Sequence, residues 1–407
     1  MHKIEGIVVA GGGAVGLMTA LRIAQQGVSV TVFESAPNLV EEYRASTFHP
    51  PTIEMLDEVG IAKKLAEKAL VADTFQLRDK ENGIIAEFDM DVLKKDTAFP
   101  YRLQIEQYAL VLLLFDALKS FPNCQVLFNH EVTAANPKEN GVEISFLNSE
   151  GEQTAICDYL VGADGARSAV RTSVNIPFDG MTYPERYLVT FTTFEFREIM
   201  PDLAYENYVS DPEEWFVLLR SHGLWRVLFP TKPEETIFDT DPDPAILDEI
   251  AQERYQKVHK TGTPYPITWR NIYRVHQRVA ASYRSGRVFL AGDAAHVNNP
   301  LGGMGLNGGL QDAFYLGNAL ALSLKNSRNE PLLDHYAEER RKIALNFIRA
   351  QTAQNEENIR QKDPAIRTEK QREMRATARN KDLSRDYLLR TSMIQGIRSM
   401  TPLPQTY

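Results

Sequence analysis

Gly11-Gly12-Gly13-Ala14-Val15-Gly16 stands at the end of an apolar run and at the head of a helical pattern, and this placement constrains the chain more than any other feature. Residues 6–10 are continuously apolar, 17–26 carry helical spacing and 28–33 are rich in β-branched side chains, which makes one strand–helix–strand unit. A strand that is apolar without alternation is buried on both faces, so a parallel sheet covered by helices follows. In the turn, Gly11 permits the tight bend, Gly13 lets the backbone approach a pyrophosphate and Gly16 lets the helix pack on the strand. Ala14 and Val15 begin the helix whose free N–H groups face the anion. Glu34 closes the second strand, 23 residues after Gly11, where a carboxylate accepts hydrogen bonds from the ribose diol of FAD or NAD.

A second glycine cluster separates those two cofactors. The run 287–292 delivers Asp293 from the C-terminal end of a strand, the end at which open α/β sheets bind ligands. Gly292 and Asp293 are followed by a loop over 300–309 that contains Gly303, Gly305, Leu306 and Asn307, and a helix is expected from about residue 310. Such a loop lies against a flat ring, and the helix start stabilises charge on a reduced isoalloxazine, which favours FAD. Between the two clusters, 186–196, 215–220 and 224–229 surround Ser221-His222-Gly223 and read as antiparallel hairpin strands. The fold class is therefore α/β: a Rossmann-like FAD-binding domain (1–72, 98–182 and 278–330) interrupted by a mostly antiparallel β-sheet substrate domain (73–97 and 183–277). An exposed helical C-terminal segment (331–407) follows.

Three motifs in this order resemble the para-hydroxybenzoate hydroxylase-like family of single-component flavoprotein aromatic hydroxylases. They are the GxGxxG with Glu34, the segment Gly162-Ala163-Asp164-Gly165-Ala166-Arg167, and Gly292-Asp293 with its glycine-rich continuation. The resemblance implies that NADH or NADPH reduces FAD and that a flavin C4a-hydroperoxide formed with O2 hydroxylates a small aromatic substrate of phenolic, aminoaromatic or hydroxypyridine type. It also implies that Asp164 contacts FAD, that Asp164 and Arg167 meet NAD(P)H, and that Arg44 and Gln107 touch the FAD phosphate or ribityl chain. Substrate contacts are expected from Tyr208, Arg220, Trp225, Arg226 and Pro300, with Pro300, Tyr208 and Arg220 nearest the chemistry: arginine forks onto a carboxylate and aromatic rings stack. Tyr315, in a position where many relatives carry asparagine, is expected to affect helix packing only. His296 is read as a structural hydrogen-bonding residue and not as a catalyst.

The remaining composition narrows the alternatives. A formal charge of -9 over 407 residues disfavours nucleic acid, and two cysteines, Cys124 and Cys157, make neither a disulfide framework nor a zinc site. No leader is evident and the longest apolar run, 109–115, is too short to span a bilayer, so a cytoplasmic protein without membrane contact is expected. The charged C-terminal helices leave a homodimer open. No WxWxIP segment is present, which sets a flavin halogenase aside. A reductase of the geranylgeranyl reductase type and a non-catalytic FAD-dependent ligand-binding protein stay open on sequence alone.

Overall fold

The computed structural model describes residues 2–41, 43–232, 234–239, 242–325 and 329–402. Its first layer is a six-stranded sheet in the order Arg284–Ser285, Val288–Leu290, Tyr159–Gly162, Ile7–Ala10, Val30–Phe33, Cys124–Leu127, parallel except at the Arg284–Ser285 edge. Every residue of Ile7–Ala10 and Val30–Phe33 is buried, which is why neither strand alternates. The fingerprint helix Ala14–Gln25 packs between Gln107–Leu118 and Met304–Lys325. Two glycines set its approach: Gly11 has φ 106, and a Cβ on Gly16 would stand 1.9 Å from the Gly11 carbonyl oxygen.

The second layer is an eight-stranded sheet in the order His296–Val297, Ile267–Ala280, Phe178–Thr192, Leu224–Pro230, Phe216–Ser221, Glu206–Ser210, Thr74–Asp79, Gly83–Asp89. Ser221 pairs with Leu224 across the two-residue turn His222-Gly223, with Gly223 at φ 69, as the hairpin pattern predicts. One face of this sheet buries Trp225, Val227 and Phe229 against Tyr255 and Ala251 of the helix Pro244–Val258. The other face, with Tyr187, Val189, Val217 and Leu228, meets Leu301 and Ile359.

Three expectations are corrected. The glycine-rich stretch after residue 303 is not a loop: the helix Met304–Lys325 begins there, about two turns early. Its glycines serve close packing, since a Cβ on Gly309 would meet Val15 at 2.8 Å and the Gly292 Cα at 3.1 Å. The apolar spacing over 51–65 predicts a helical stretch, and the structure divides it into two helices, Pro50–Glu58 and Ala62–Ala66, broken at Gly60. The C-terminal segment is only partly exposed: Pro364–Arg379 has no buried residue, but Glu330–Ile343 buries Leu333, Tyr336 and Arg340.

Arg340 explains why that helix is held. Its Nε donates to Asp312 Oδ1 at 2.7 Å, while Asp312 Oδ2 accepts from Gly292 N at 3.1 Å and faces His296 Nε2 at 2.9 Å, all within the core. Burial pushes the Asp312 carboxyl up, yet Arg340 and His296 outweigh it and hold it below the usual carboxylate range. Removing one partner of such a pair strands a buried charge. Arg340→Met is therefore expected to destabilise the protein by about 3–5 kcal/mol in urea unfolding, with most of the loss recovered in the Arg340→Met/Asp312→Asn double variant.

Candidate active site

The site is built where the two sheets face each other across the C-terminal ends of the parallel strands. At one end, the helix Ala14–Gln25 starts from Gly13 without a side-chain cap, and a Cβ on Gly13 would meet nothing within 4 Å. Uncapped N–H groups of Ala14, Val15 and Gly16 thus open onto free space suited to a pyrophosphate. Glu34 is oriented by the same loop: Oε2 accepts from Gly12 N at 2.6 Å and Oε1 from Ala36 N at 2.8 Å, which leaves acceptor capacity for a ribose hydroxyl.

Two loops close the middle of the groove. Asp164 Oδ2 accepts from Val170 N at 3.1 Å, whereas Oδ1 is buried with no partner among the described residues, and burial raises the carboxyl. Arg171 ties this loop to the next through Nη1 to the Ala294 carbonyl at 2.9 Å. Asp293 follows the end of its strand with its side chain exposed; desolvation raises its carboxyl, and His296 and Arg44 oppose that rise. An orphaned acceptor on Asp164, an uncapped helix start and an exposed aspartate at a strand end fit the ribityl and phosphate groups of FAD. Gln107 heads the helix Gln107–Leu118 and its N–H donates to the Ala45 carbonyl at 2.8 Å, beside Arg44. Arg167 is exposed on the Asp164 loop.

Beyond Gly303, Gly305 and Leu306, now first-turn or pre-helical residues, lies a cavity of about 150 Å³ lined also by Arg44, Tyr208, Arg226, Leu228 and Pro300. Asn307 contributes no free side-chain group to it. Its Oδ1 accepts from His49 N at 2.8 Å and its Nδ2 donates to the Thr47 and Gly303 carbonyls, so its side chain clamps the loop to the strand Thr47–Phe48. Tyr208 donates to Glu206 Oε1 at 2.7 Å, and Arg102 donates to the same oxygen at 2.7 Å. Arg226 is buried; its Nη2 donates to the Arg44 carbonyl at 2.6 Å, and it also bonds Tyr273.

Strand alternation divides the expected substrate residues. Tyr208, Arg226 and Pro300 line the cavity, but Arg220 and Trp225 are cross-strand partners on the opposite face. There Glu195 accepts from Trp225 Nε1 at 3.0 Å and pairs with Arg220 at 2.9 Å, while the guanidinium lies 5.1 Å from the indole centroid. These two are structural members of the sheet's far face.

Sequence reasoning missed Glu106, the residue before Gln107. Among the described residues neither of its buried carboxylate oxygens has a hydrogen-bond partner, and burial, opposed by Arg226, pushes the carboxyl up to about 7. The only signal for it was a lone acid ahead of a strongly apolar helix. A carboxyl that binds its proton more tightly when folded stabilises fully below the unfolded value of 4.5, and this contribution is lost as pH rises to about 7. Glu106→Gln is expected to remove that loss, making the apoprotein more stable than the parent by on the order of 3 kcal/mol at pH 8 and equal to it at pH 4.5. Thermal unfolding of both proteins across this pH range measures the difference.

Comparison with known proteins agrees with this geometry. Residues 5–351 match the family described as FAD binding domain. The para-nitrophenol 4-monooxygenase of Pseudomonas sp. (strain WBC-3) is 34% identical over 404 residues, 98% of each chain. The 6-hydroxy-3-succinoylpyridine 3-monooxygenase of Pseudomonas putida (strain DSM 28022 / S16) is 31% identical over 372 residues, 89% of this chain and 91% of the relative. The crystal structure of a p-nitrophenol 4-monooxygenase from Pseudomonas putida DLL-E4 superposes with a TM-score of 0.91 at 32% identity, covering 99% of this chain and 100% of that one. Beside such relatives, the reductase and non-catalytic readings are not favoured. With its dinucleotide groove, its Asp293 loop and relatives of matching length, the chain belongs to the FAD-binding-domain family and is a FAD-dependent aromatic monooxygenase.

Proposed function

We propose that the substrate is a small phenol-type ring seated in the cavity between Pro300 and the strand residues Leu219 and Leu228. The observation that carries this is the pairing of one hydroxyl and one guanidinium, Tyr208 and Arg226, on an otherwise largely aliphatic sheet wall. The ring hydroxyl donates to Tyr208 Oη, whose own proton is already directed at Glu206 Oε1. Arg102, buried beside Glu206, keeps that oxygen an acceptor, so the phenol is held ready to lose its proton as electron density is drawn into the ring. Arg226 receives the electron-withdrawing or anionic substituent. Bound FAD supplies electron transfer from NAD(P)H and activation of O2. The chain's own tasks are to position the ring, exclude water and hold its proton. Relatives named for a nitrophenol and for a hydroxypyridine support this class.

Asp164 and the exposed Arg167 form our proposed contact for NAD(P)H, reached from solvent at the rim of the groove. Burial raises both thiols, Cys124 to about 11 and Cys157 to about 12, so neither is primed to react at neutral pH, in keeping with a cytoplasmic setting. Among the described residues no helix is long and apolar enough to cross a membrane.

The test is anaerobic reduction of the FAD-loaded enzyme by NADH and NADPH with 4-nitrophenol, 4-hydroxybenzoate and hydroxypyridine acids, followed by oxygen. One compound is expected to accelerate flavin reduction and to leave as its ring-hydroxylated product; equal reduction with every compound and no oxygenated product would overturn the reading. Arg226→Met is expected to weaken binding of that compound by about 10- to 100-fold, the loss of a charge-assisted hydrogen bond, while Arg220→Ala changes it by less than about twofold. Perturbation of the flavin visible spectrum measures both.

A further inference from the structure

A larger cavity of about 560 Å³ lies behind the first, between the strands Thr74–Asp79, Gly83–Asp89 and Glu206–Ser210 and the C-terminal helices. Tyr208 and Gly302 line both cavities, so the two adjoin at the wall that carries the proposed phenol contact. A cavity of about 150 Å³ suffices for one benzene ring, and this one holds a substituted ring with room to spare.

Its wall has a definite chemistry. Phe75 and Tyr387 stack at 6.4 Å, and Met304, Met374 and Met393 add polarisable apolar surface. The main cationic groups around it are already committed: Arg102 to Glu206 at 2.7 Å, Arg78 to Asp202 at 2.9 Å, Lys370 to Glu357 at 2.7 Å and Arg367 to Asp79. Arg390, whose guanidinium lies 6.0 Å from the Tyr387 ring centroid, and Glu373 also line it, both solvent-exposed, and the other polar groups are chiefly amides, including Asn346, Gln354, Asn358 and Gln395. Aromatic and thioether surface with neutral amides selects a planar, uncharged, hydrogen-bonding molecule over an anion.

The backbone supplies an independent sign of use. The chain runs from Glu330–Ile343 to Arg349–Arg360 through a π-helical turn, Ala344–Ile348, and Asn346, Phe347 and Ile348 of that turn line the cavity. Widened turns of this kind are costly and concentrate at functional sites.

We infer that this cavity is a holding chamber that binds the neutral form of a single-ring phenol before it passes Tyr208 to the flavin-side pocket. The inference rests on the reading of the enzyme as a phenol hydroxylase. The chamber takes the protonated molecule; loss of the proton belongs to the pocket beyond it, where Tyr208 and Glu206 stand.

Met374→Trp and Asn358→Trp fill the chamber from two different helices and leave the flavin-side pocket untouched. Equilibrium dialysis of the FAD-loaded enzyme with 4-nitrophenol, below and above the phenol's own pKa, counts molecules bound per chain; the flavin spectrum reports the inner pocket separately. Two molecules per chain are expected below that pKa and one above it, with the filled variants binding one at either pH and keeping the flavin perturbation. Their kcat/KM is expected to fall about tenfold with the limiting rate of flavin reduction retained. One molecule per chain under all conditions in the parent, or two that persist in both filled variants, would overturn the chamber. If the native stoichiometry falls on filling while no phenol perturbs the flavin, the chamber stands and the phenol hydroxylase reading fails.

Discussion

The site depends on one buried carboxylate. Asp312 sits on the long helix Met304–Lys325 and receives Gly292 N, His296 and Arg340, so it joins the Asp293 loop, the glycine-rich helix and the C-terminal segment at one point. A buried charge is tolerated only when its partners are fixed, and fixing them here aligns segments far apart in sequence. The backbone just before Asp293 is fixed because Gly292 N is held by Asp312. The C-terminal helix Glu330–Ile343 is docked because Arg340 must reach the same group, and its Nη2 then also bonds the Gly308 carbonyl at 3.2 Å.

From that point the construction spreads through close approach. Gly308 and Gly309 let the helix lie against His296, Val15 and Gly292, which brings the uncapped start of Ala14–Gln25 and the Asp293 loop side by side. The same need for contact explains why a glycine-rich stretch reads as a loop in sequence yet forms a helix: the low intrinsic propensity of glycine is overridden by packing that a Cβ would prevent. Patterns caused by burial on both faces, as in Ile7–Ala10 and Val30–Phe33, were legible because the cause acts on every residue of the strand. The hairpin at His222-Gly223 was legible for the same local reason.

What was not legible is which side of a sheet faces the flavin. Arg220 and Arg226 are chemically alike and lie on neighbouring strands, but the two-residue turn sets Arg220 opposite Trp225 and so sends the pair to the face that packs on Pro244–Val258. Only the tertiary arrangement distinguishes the faces, because both are apolar enough to be buried. Glu106 was hidden for another reason. Its sequence position is ordinary, and its lack of partners is a property of the folded surroundings alone.

Two carboxylates a short distance apart in the architecture show how those surroundings divide labour. Glu206 Oε1 accepts from both Arg102 and Tyr208, so hydrogen bonds fix its place beside the tyrosine hydroxyl. Glu106 has only the field of Arg226 against its desolvation, and its carboxyl is pushed up to about 7. Arg226 is thereby left less neutralised than a full ion pair would leave it, at the wall where the proposed ring substituent binds. An arginine bonded to the Arg44 carbonyl and to Tyr273 keeps its geometry through those neutral acceptors, whereas a firm Glu106 salt bridge would cancel the charge that the proposed ligand contact uses. The high proton affinity of Glu106 and the proposed ligand contact of Arg226 have in this sense one electrostatic cause, the burial at the head of the helix Gln107–Leu118.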